Sequence, residues 1–177
     1  MKGAEHMEQW ELLDGKGNPT GHSMIRGDRL KPGQYHLVVH IWIVDDTGRV
    51  LVQRRAPHLK LMPDIWAVTG GSAVLGEESL TAARRELKEE LGVNTAPGEL
   101  QLMGRLRRRN SFCDLWLLRR SIDLDELTLQ KEEVADARWM SWGKMMEMVE
   151  AKTFHHYGRE YFDYVYAHIF ASPDQCV

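Results

Sequence analysis

Arg85, Glu86, Glu89 and Glu90 crowd into six residues near the middle of this chain, and Gly92 follows at once. Positions three and four apart lie on one face of a helix. Glu86, Glu89 and Glu90 therefore share a face, within about 100° of arc at 3.6 residues per turn. Like charges this close destabilise a bare helix by a few tenths of a kcal/mol per pair. A divalent cation reverses the sign, because hard cations such as Mg²⁺ take carboxylate oxygens. The stretch over residues 71–93 thus reads as a metal-binding catalytic helix. Against it stands a plainer reading, a solvated acidic face on which Arg84, Arg85 and Lys88 make ordinary surface pairs.

The elements that position this helix follow from the hydrophobic pattern. Residues 8–13 alternate polar and apolar and predict a short strand, with turn chemistry over 14–19. Residues 23–32 are polar and basic and predict a loop. The run HLVVHIWIV over 36–44 predicts a central strand buried on both faces, and 49–55 predicts its antiparallel partner across the Asp45–Gly48 turn. A loop over 56–64 and a short strand over 65–69 lead through Gly70 and Gly71 into the helix, predicted to run from 78 or 79 to 91. Leu80, Ala83, Leu87 and Leu91 form its core stripe, and Gly92 is a natural stop. Residues 100–109, 112–122 and 134–141 read as strands, with a second helix from 141 or 142 to about 152. The aromatic-rich stretch from 154 onward carries no clear period.

The chain has 177 residues, 43% hydrophobic and 28% charged, with a net charge of −3. That length suits one domain with a full core: residues 1–177, with an N-terminal strand and loop extension (1–35) and a C-terminal tail (153–177). The slight acidity argues against a nucleic-acid polymer or an anionic membrane as partner. There is no apolar run of bilayer length and no apolar signal core at the start. Cys113 and Cys176 make neither a disulfide framework nor zinc spacing. Cytoplasm is the expected location.

The spacing around the acidic cluster can now be written out: Gly71, five residues, Glu77, seven residues, Arg85-Glu86-Leu87, one residue, Glu89-Glu90, one residue, Gly92-Val93. It resembles the Nudix box at all nine specified positions. That resemblance implies an α/β fold, an α/β/α sandwich around a mixed β-sheet. It implies hydrolysis of a diphosphate bond in a small molecule, usually a nucleoside diphosphate linked to another group, with Mg²⁺ or Mn²⁺ as cofactor. By the same resemblance Glu86, Glu89 and Glu90 are metal ligands, Glu77 is an auxiliary metal residue, and Arg85 orients the glutamates by charge-assisted hydrogen bonds. Gly71 and Gly92 allow tight turns at the ends of the motif. The chemistry agrees with the residues: bound metal neutralises the diphosphate and activates water, and a carboxylate takes the proton.

A broader similarity runs over residues 8–93, and more weakly to 142, with the type I isopentenyl-diphosphate isomerases. It rests on Leu13-Asp14, residues 17–21, 33–36 and 51–55, and Pro63 to Trp66. The departures fall on the isomerase chemistry. The reactive Cys of those enzymes is replaced by Gly70, one metal-binding His by Ser72, another by Arg29, and a Glu-x-Glu pair by Phe112 and Asp114. His36 and Asp114 are what remains of that set. Protonating an alkene needs a strong acid and a paired acceptor, so a hydrolase in an isomerase-like subgroup is expected.

Other residues have a functional and a structural reading. Arg54 and Arg55, with Gly70 and Gly71, are expected to bind the diphosphate; solvated strand-end arginines are the alternative. Glu133 is the candidate general base, by resemblance to enzymes that use a glutamate outside the box. Glu132 beside it, His36, His40, and the His155-His156-Tyr157 run read as structural or solvated. Trp66, Trp116, Trp139 and Trp142 read as packing. Two rival functions stand beside the hydrolase, an isopentenyl-diphosphate isomerase and a non-catalytic nucleotide-binding module. Monomer and homodimer are both compatible with the sequence.

Overall fold

A computed structural model describes residues 8–170. The chain opens with a hairpin of β1 (Gln9–Leu13) and β2 (Pro19–Ile25). It continues through β3 (His36–Val44), β4 (Val50–Arg55), β5 (Trp66–Ala67), β6 (Thr69–Ser72), α1 (Ser79–Leu91), β7 (Leu100–Arg107), β8 (Ser111–Arg119), β9 (Val134–Met140), α2 (Trp142–Glu150) and α3 (Arg159–Phe170). Seven strands form one sheet. β3 pairs in parallel with β8 and antiparallel with β4 and β6; β4 also pairs with β5 and β9, and β7 with β8. The hairpin joins the sheet where Leu13 and Tyr35 exchange backbone hydrogen bonds of 2.7 and 3.0 Å.

The sheet has an apolar layer on each face. Val39, Ile41 and Ile43 of β3 pack on Ala82, Ala83, Leu87 and Leu91 of α1. Trp42 and Val44, alternating to the other side, pack with Met145 and Val149 of α2 and with Tyr161, Phe162, Val165 and Ile169 of α3. This is the expected α/β/α sandwich around a mixed sheet. The 36–44 strand is buried on both sides because helices cover both.

Three expectations are revised. The 23–32 loop begins later, since Ser23 to Ile25 belong to β2 and pair with Gln9 to Glu11. β2 is mostly exposed, so no apolar alternation marks it. The 65–69 strand is two short strands, and Gly70 and Gly71 lie within the second. β3 and β4 pair only at Ile43–Leu51 and Val44–Val50 and then part, which leaves separate edges for β5 and β6. Gly70 suits β6 because a Cβ there would stand 2.2 Å from the Val39 carbonyl oxygen. The third revision concerns the 153–177 tail, where residues 159–170 form a core helix. Its aromatic residues have low intrinsic helix preference and are held by packing; residues 171–177, with Cys176, lie outside the described part.

α1 begins at the expected place and ends in a left-handed Gly92 (φ 74°), whose N–H donates to Lys88, followed by a 3.1 Å bond from Val93 N–H to the Leu87 carbonyl. The Gly92-to-Lys88 bond is the five-residue αL ending. Leu80 is only half buried, while Ala82 and two carboxylates, Glu86 and Glu90, join the buried side.

The α3 face of the sheet carries a polar knot in its core. The Tyr161 hydroxyl accepts from Trp42 Nε1 at 3.1 Å and lies 2.8 Å from His40 Nδ1. Burial holds His40 neutral, with its pKa down to about 3, so Tyr161 donates to it. Tyr161→Phe leaves both nitrogens unpaired and is expected to destabilise the fold by about 1–3 kcal/mol in urea unfolding. An unchanged midpoint would show that the knot contributes nothing to stability.

Candidate active site

β6 and α1 build the site between them. Arg85 is its centre: Nε and one Nη donate to the two oxygens of Glu77 at 2.9 Å each, and that Nη also reaches the Ser72 carbonyl at 3.1 Å. The other Nη donates to Glu86 at 2.9 Å and to Glu89 at 3.0 Å. Glu90 points inward, where one oxygen accepts from Gln53 Nε2 at 2.9 Å and from Gly70 N–H at 3.2 Å. Gly71 makes room for Glu86, because a Cβ on Gly71 would lie 2.2 Å from Glu86 Oε1. The two glycines have separate reasons: Gly70 lets strands approach, and Gly71 lets a carboxylate lie against the backbone.

These groups open onto a polar cleft of about 200 Å³ whose walls include Arg55, Gly70, Gly71, Glu86, Glu89 and Glu133. Glu8, Arg26 and Gln130 complete its rim, and Arg26 donates to Glu8 at 2.6 Å. Arg55 comes from β4, and Glu133 from just before β9, so the antiparallel β4–β9 pair brings both to the acidic face of α1.

Three expected site residues are placed off the cleft lining, the first being Glu90, which points inward to Gln53 and Gly70. Arg54 does not line the cleft; it pairs with Asp64 at 2.9 Å, since neighbouring strand residues point to opposite faces. Glu77 is also outside the cleft, with both oxygens on Arg85 and a further hydrogen bond from Val74 N–H at 3.0 Å. It neutralises and orients Arg85. Glu132 is exposed. Trp116 and Trp139 donate their ring N–H to Ser79 Oγ and the Ile122 carbonyl, each at 3.0 Å, in packing roles. Trp142 packs among Trp42, Phe162 and Tyr166, and Arg138 lies over the Trp66 ring. Asp114 is engaged by Arg105 through both oxygens, which removes it from any isomerase-like metal set.

The sequence reading missed Gln53, Glu8 and Arg26. Gln53 had a signal, a polar residue inside the buried β4 run and on the Leu51 face that meets α1. Glu8 and Arg26 had none, because their approach depends on how the hairpin folds back.

Burial pushes Glu86 up to about 7, although the adjacent Arg85 opposes it, and pushes Glu90 up to about 8, with the neighbouring Glu86 charge adding to the effect. A divalent cation beside this pair of buried carboxyls would favour their ionised forms. Among the described residues no three acidic, His or Cys side chains converge on one point as they stand; Glu86 and Glu89 meet instead on Arg85. Glu89 is half exposed, and a surface ion pair of that kind is worth about 1 kcal/mol or less, so it exchanges partners cheaply. The donors are all oxygens, which fits Mg²⁺ or Mn²⁺.

Raised carboxyl pKa values mean that the folded state holds protons the unfolded chain releases. The resulting stabilisation is complete below the ordinary value of 4.5 and is lost as pH rises through about 7 and 8. Metal-free protein is therefore expected to lose urea resistance between about pH 5 and about pH 8, with Mg²⁺ restoring much of the loss at the upper end. Unfolding curves that superimpose across this range, with and without Mg²⁺, would contradict the burial argument.

A family model described as the NUDIX domain matches residues 34–164. A Listeria monocytogenes protein, named an uncharacterized Nudix hydrolase, is 40% identical over 136 residues, covering 76% of this chain and 80% of its own. An isopentenyl-diphosphate Delta-isomerase of Mycolicibacterium vanbaalenii is 30% identical over 148 residues, covering 78% and 80%. The crystal structure of a Deinococcus radiodurans protein has the same fold, with a TM-score of 0.72 at 21% identity over 81% of this chain and 90% of that one. With the matched model spanning most of the sequence and Gly71, Arg85, Glu86 and Glu89 of the box lining one cleft, the chain belongs to the Nudix hydrolase family, enzymes that hydrolyse pyrophosphate bonds and generally use divalent metal ions.

Proposed function

We propose that this protein hydrolyses a phosphoanhydride bond in a small diphosphate, a nucleoside diphosphate linked to another group, with Mg²⁺ or Mn²⁺. The observation that carries the reading is the shared cleft, in which Glu86, Glu89, Arg55 and Glu133 from three parts of the chain face one another. Glu86, Glu89 and Glu90 would hold the metal, which when bound supplies charge neutralisation and polarises the phosphoryl oxygen. Arg55 binds the diphosphate oxygens across the cleft; its Nε and one Nη are steadied by the Leu61 carbonyl at 3.3 and 3.2 Å. Arg85 and Glu77 keep the glutamates in register. Glu133, half buried on the cleft wall, takes the proton of the attacking water. Gly70 and Gly71 leave the floor open to the substrate.

We read the chain as one Nudix domain acting in the cytoplasm on a small molecule, as monomer or homodimer. No helix among the described residues is long and apolar enough to cross a membrane. The isomerase reading has the Mycolicibacterium relative in its favour, but Gly70 offers no thiol and Asp114 is held by Arg105.

A panel of nucleoside di- and triphosphates, nucleotide sugars, dinucleoside polyphosphates and prenyl diphosphates, with Mg²⁺ and Mn²⁺, tests the reaction. Glu89→Gln and Glu90→Gln are each expected to lower kcat/KM by about 100-fold or more, equivalent to about 2.7 kcal/mol of transition-state stabilisation. Glu133→Gln should lower kcat while leaving calorimetric Mg²⁺ binding intact. Full turnover in the Glu89 and Glu90 variants, or interconversion of isopentenyl and dimethylallyl diphosphates, would refute the assignment.

A further inference from the structure

A second hollow, of about 910 Å³, adjoins the catalytic cleft on the hairpin side. Arg29, Lys31 and Arg109 line it, with Asp28 as the one acidic lining residue. None of the three cations is ion-paired among the described residues. The Lys31 backbone is held by short-range structure. Gln34 N–H donates to the Lys31 carbonyl at 3.0 Å across a Pro32-Gly33 turn, and the Gln34 side chain accepts from Lys31 N–H at 2.9 Å. Arg109 comes from the connection between β7 and β8. The inner wall is aromatic: the Trp10 ring is stacked on His36 at 4.2 Å and 8°. His36 is 7% exposed, and its Nδ1 has no hydrogen-bond partner.

The two spaces share a wall. Glu8 and Arg26 line the cleft, and Glu8 accepts from Trp10 Nε1 at 2.8 Å on the side of the hollow. A molecule with its phosphoanhydride in the cleft would extend past Glu8 onto Trp10 and towards Arg29, Lys31 and Arg109, which have no ion pair among the described residues. Unpaired like charges around one space favour an anion there, and Arg and Lys suit a phosphate monoester.

We propose that this hollow is a phosphate-monoester subsite that selects diphosphate substrates carrying an additional phosphate on the group remote from the scissile bond. The inference rests on the hydrolase reading above and adds a substrate class to it.

Paired substrates that differ by one phosphate monoester test it, with dephospho-coenzyme A against coenzyme A and NADH against NADPH as probes. The wild-type enzyme is expected to favour the phosphorylated member by about 10-fold or more in kcat/KM, mainly through KM. Replacing Arg29, Lys31 and Arg109 together by Ala should bring that ratio close to one. Replacing Lys144, Lys152 and Arg159 together by Ala should leave it unchanged, which separates a local site from overall charge. Equal use of both members by the wild type, an unchanged ratio in the Arg29/Lys31/Arg109 variant, or an effect of inorganic phosphate alone without pair preference would overturn the subsite. If neither member is hydrolysed with Mg²⁺, the hydrolase reading fails for these compounds. The subsite is then judged by metal-free calorimetry, where adenosine 3′,5′-bisphosphate should bind about 10-fold more tightly than AMP and lose that advantage in the Arg29/Lys31/Arg109 variant. Equal binding of the two would overturn it.

Discussion

The Arg85 guanidinium binds the separate parts of this site into one unit. Its donors reach the loop before α1 through Glu77, the end of β6 through the Ser72 carbonyl, and the acidic helix face through Glu86 and Glu89. A rigid planar fork with five N–H donors can satisfy such a spread of acceptors, and a lysine point charge cannot. Without it, the glutamates on successive turns of one helix would repel one another. With it, the face is electrostatically tolerable while still short of positive charge. Burial then sets the balance: the carboxyls of Glu86 and Glu90 are held back from ionising, and on the function proposed above a divalent cation would complete them.

The backbone of β6 is the second constraint. Gly70 donates its N–H to Glu90 and lies against β3, while Gly71 faces the Glu86 carboxylate across a gap too small for a methyl group. The site is therefore built by close approach of a strand to a helix, and the parting of β3 from β4 makes that approach geometrically available. The β4–β9 pairing then brings Arg55 and Glu133 in from the other side. By the resemblance to the type I isopentenyl-diphosphate isomerases, Gly70 falls where those enzymes are expected to carry a reactive Cys. The same position that would carry the alternative chemistry serves here as a bare backbone contact.

Legibility in the sequence followed the range of the interactions. α1, its bounds and its glutamates were readable because helix periodicity, a glycine stop and the motif spacing are local. The central β3 was readable from its length and composition. Glu77 was harder: spacing placed it in the motif, but not that both its oxygens would be taken by Arg85. Arg54 and Arg55 looked equivalent in sequence and are separated by strand alternation, a distinction that depends on which face meets α1. α3 escaped the reading because its burial comes from the sheet face it packs on. The roles of Glu8 and Trp10 depend on the hairpin folding back onto the sheet, which no local pattern announces.

Calorimetric titration of Mg²⁺ into wild-type protein and Gly71→Ala near pH 7, in buffers of different ionisation enthalpy, bears most directly on the site. Metal binding to carboxyls with raised pKa must release protons. The wild type is expected to bind Mg²⁺ with measurable proton release, and Gly71→Ala, whose methyl group would displace the Glu86 carboxylate, is expected to bind at least about 10-fold more weakly, equivalent to about 1.4 kcal/mol. Equal binding by the two proteins, or binding with no proton release, would contradict a metal site made by Glu86, Glu89 and Glu90 against the β6 backbone.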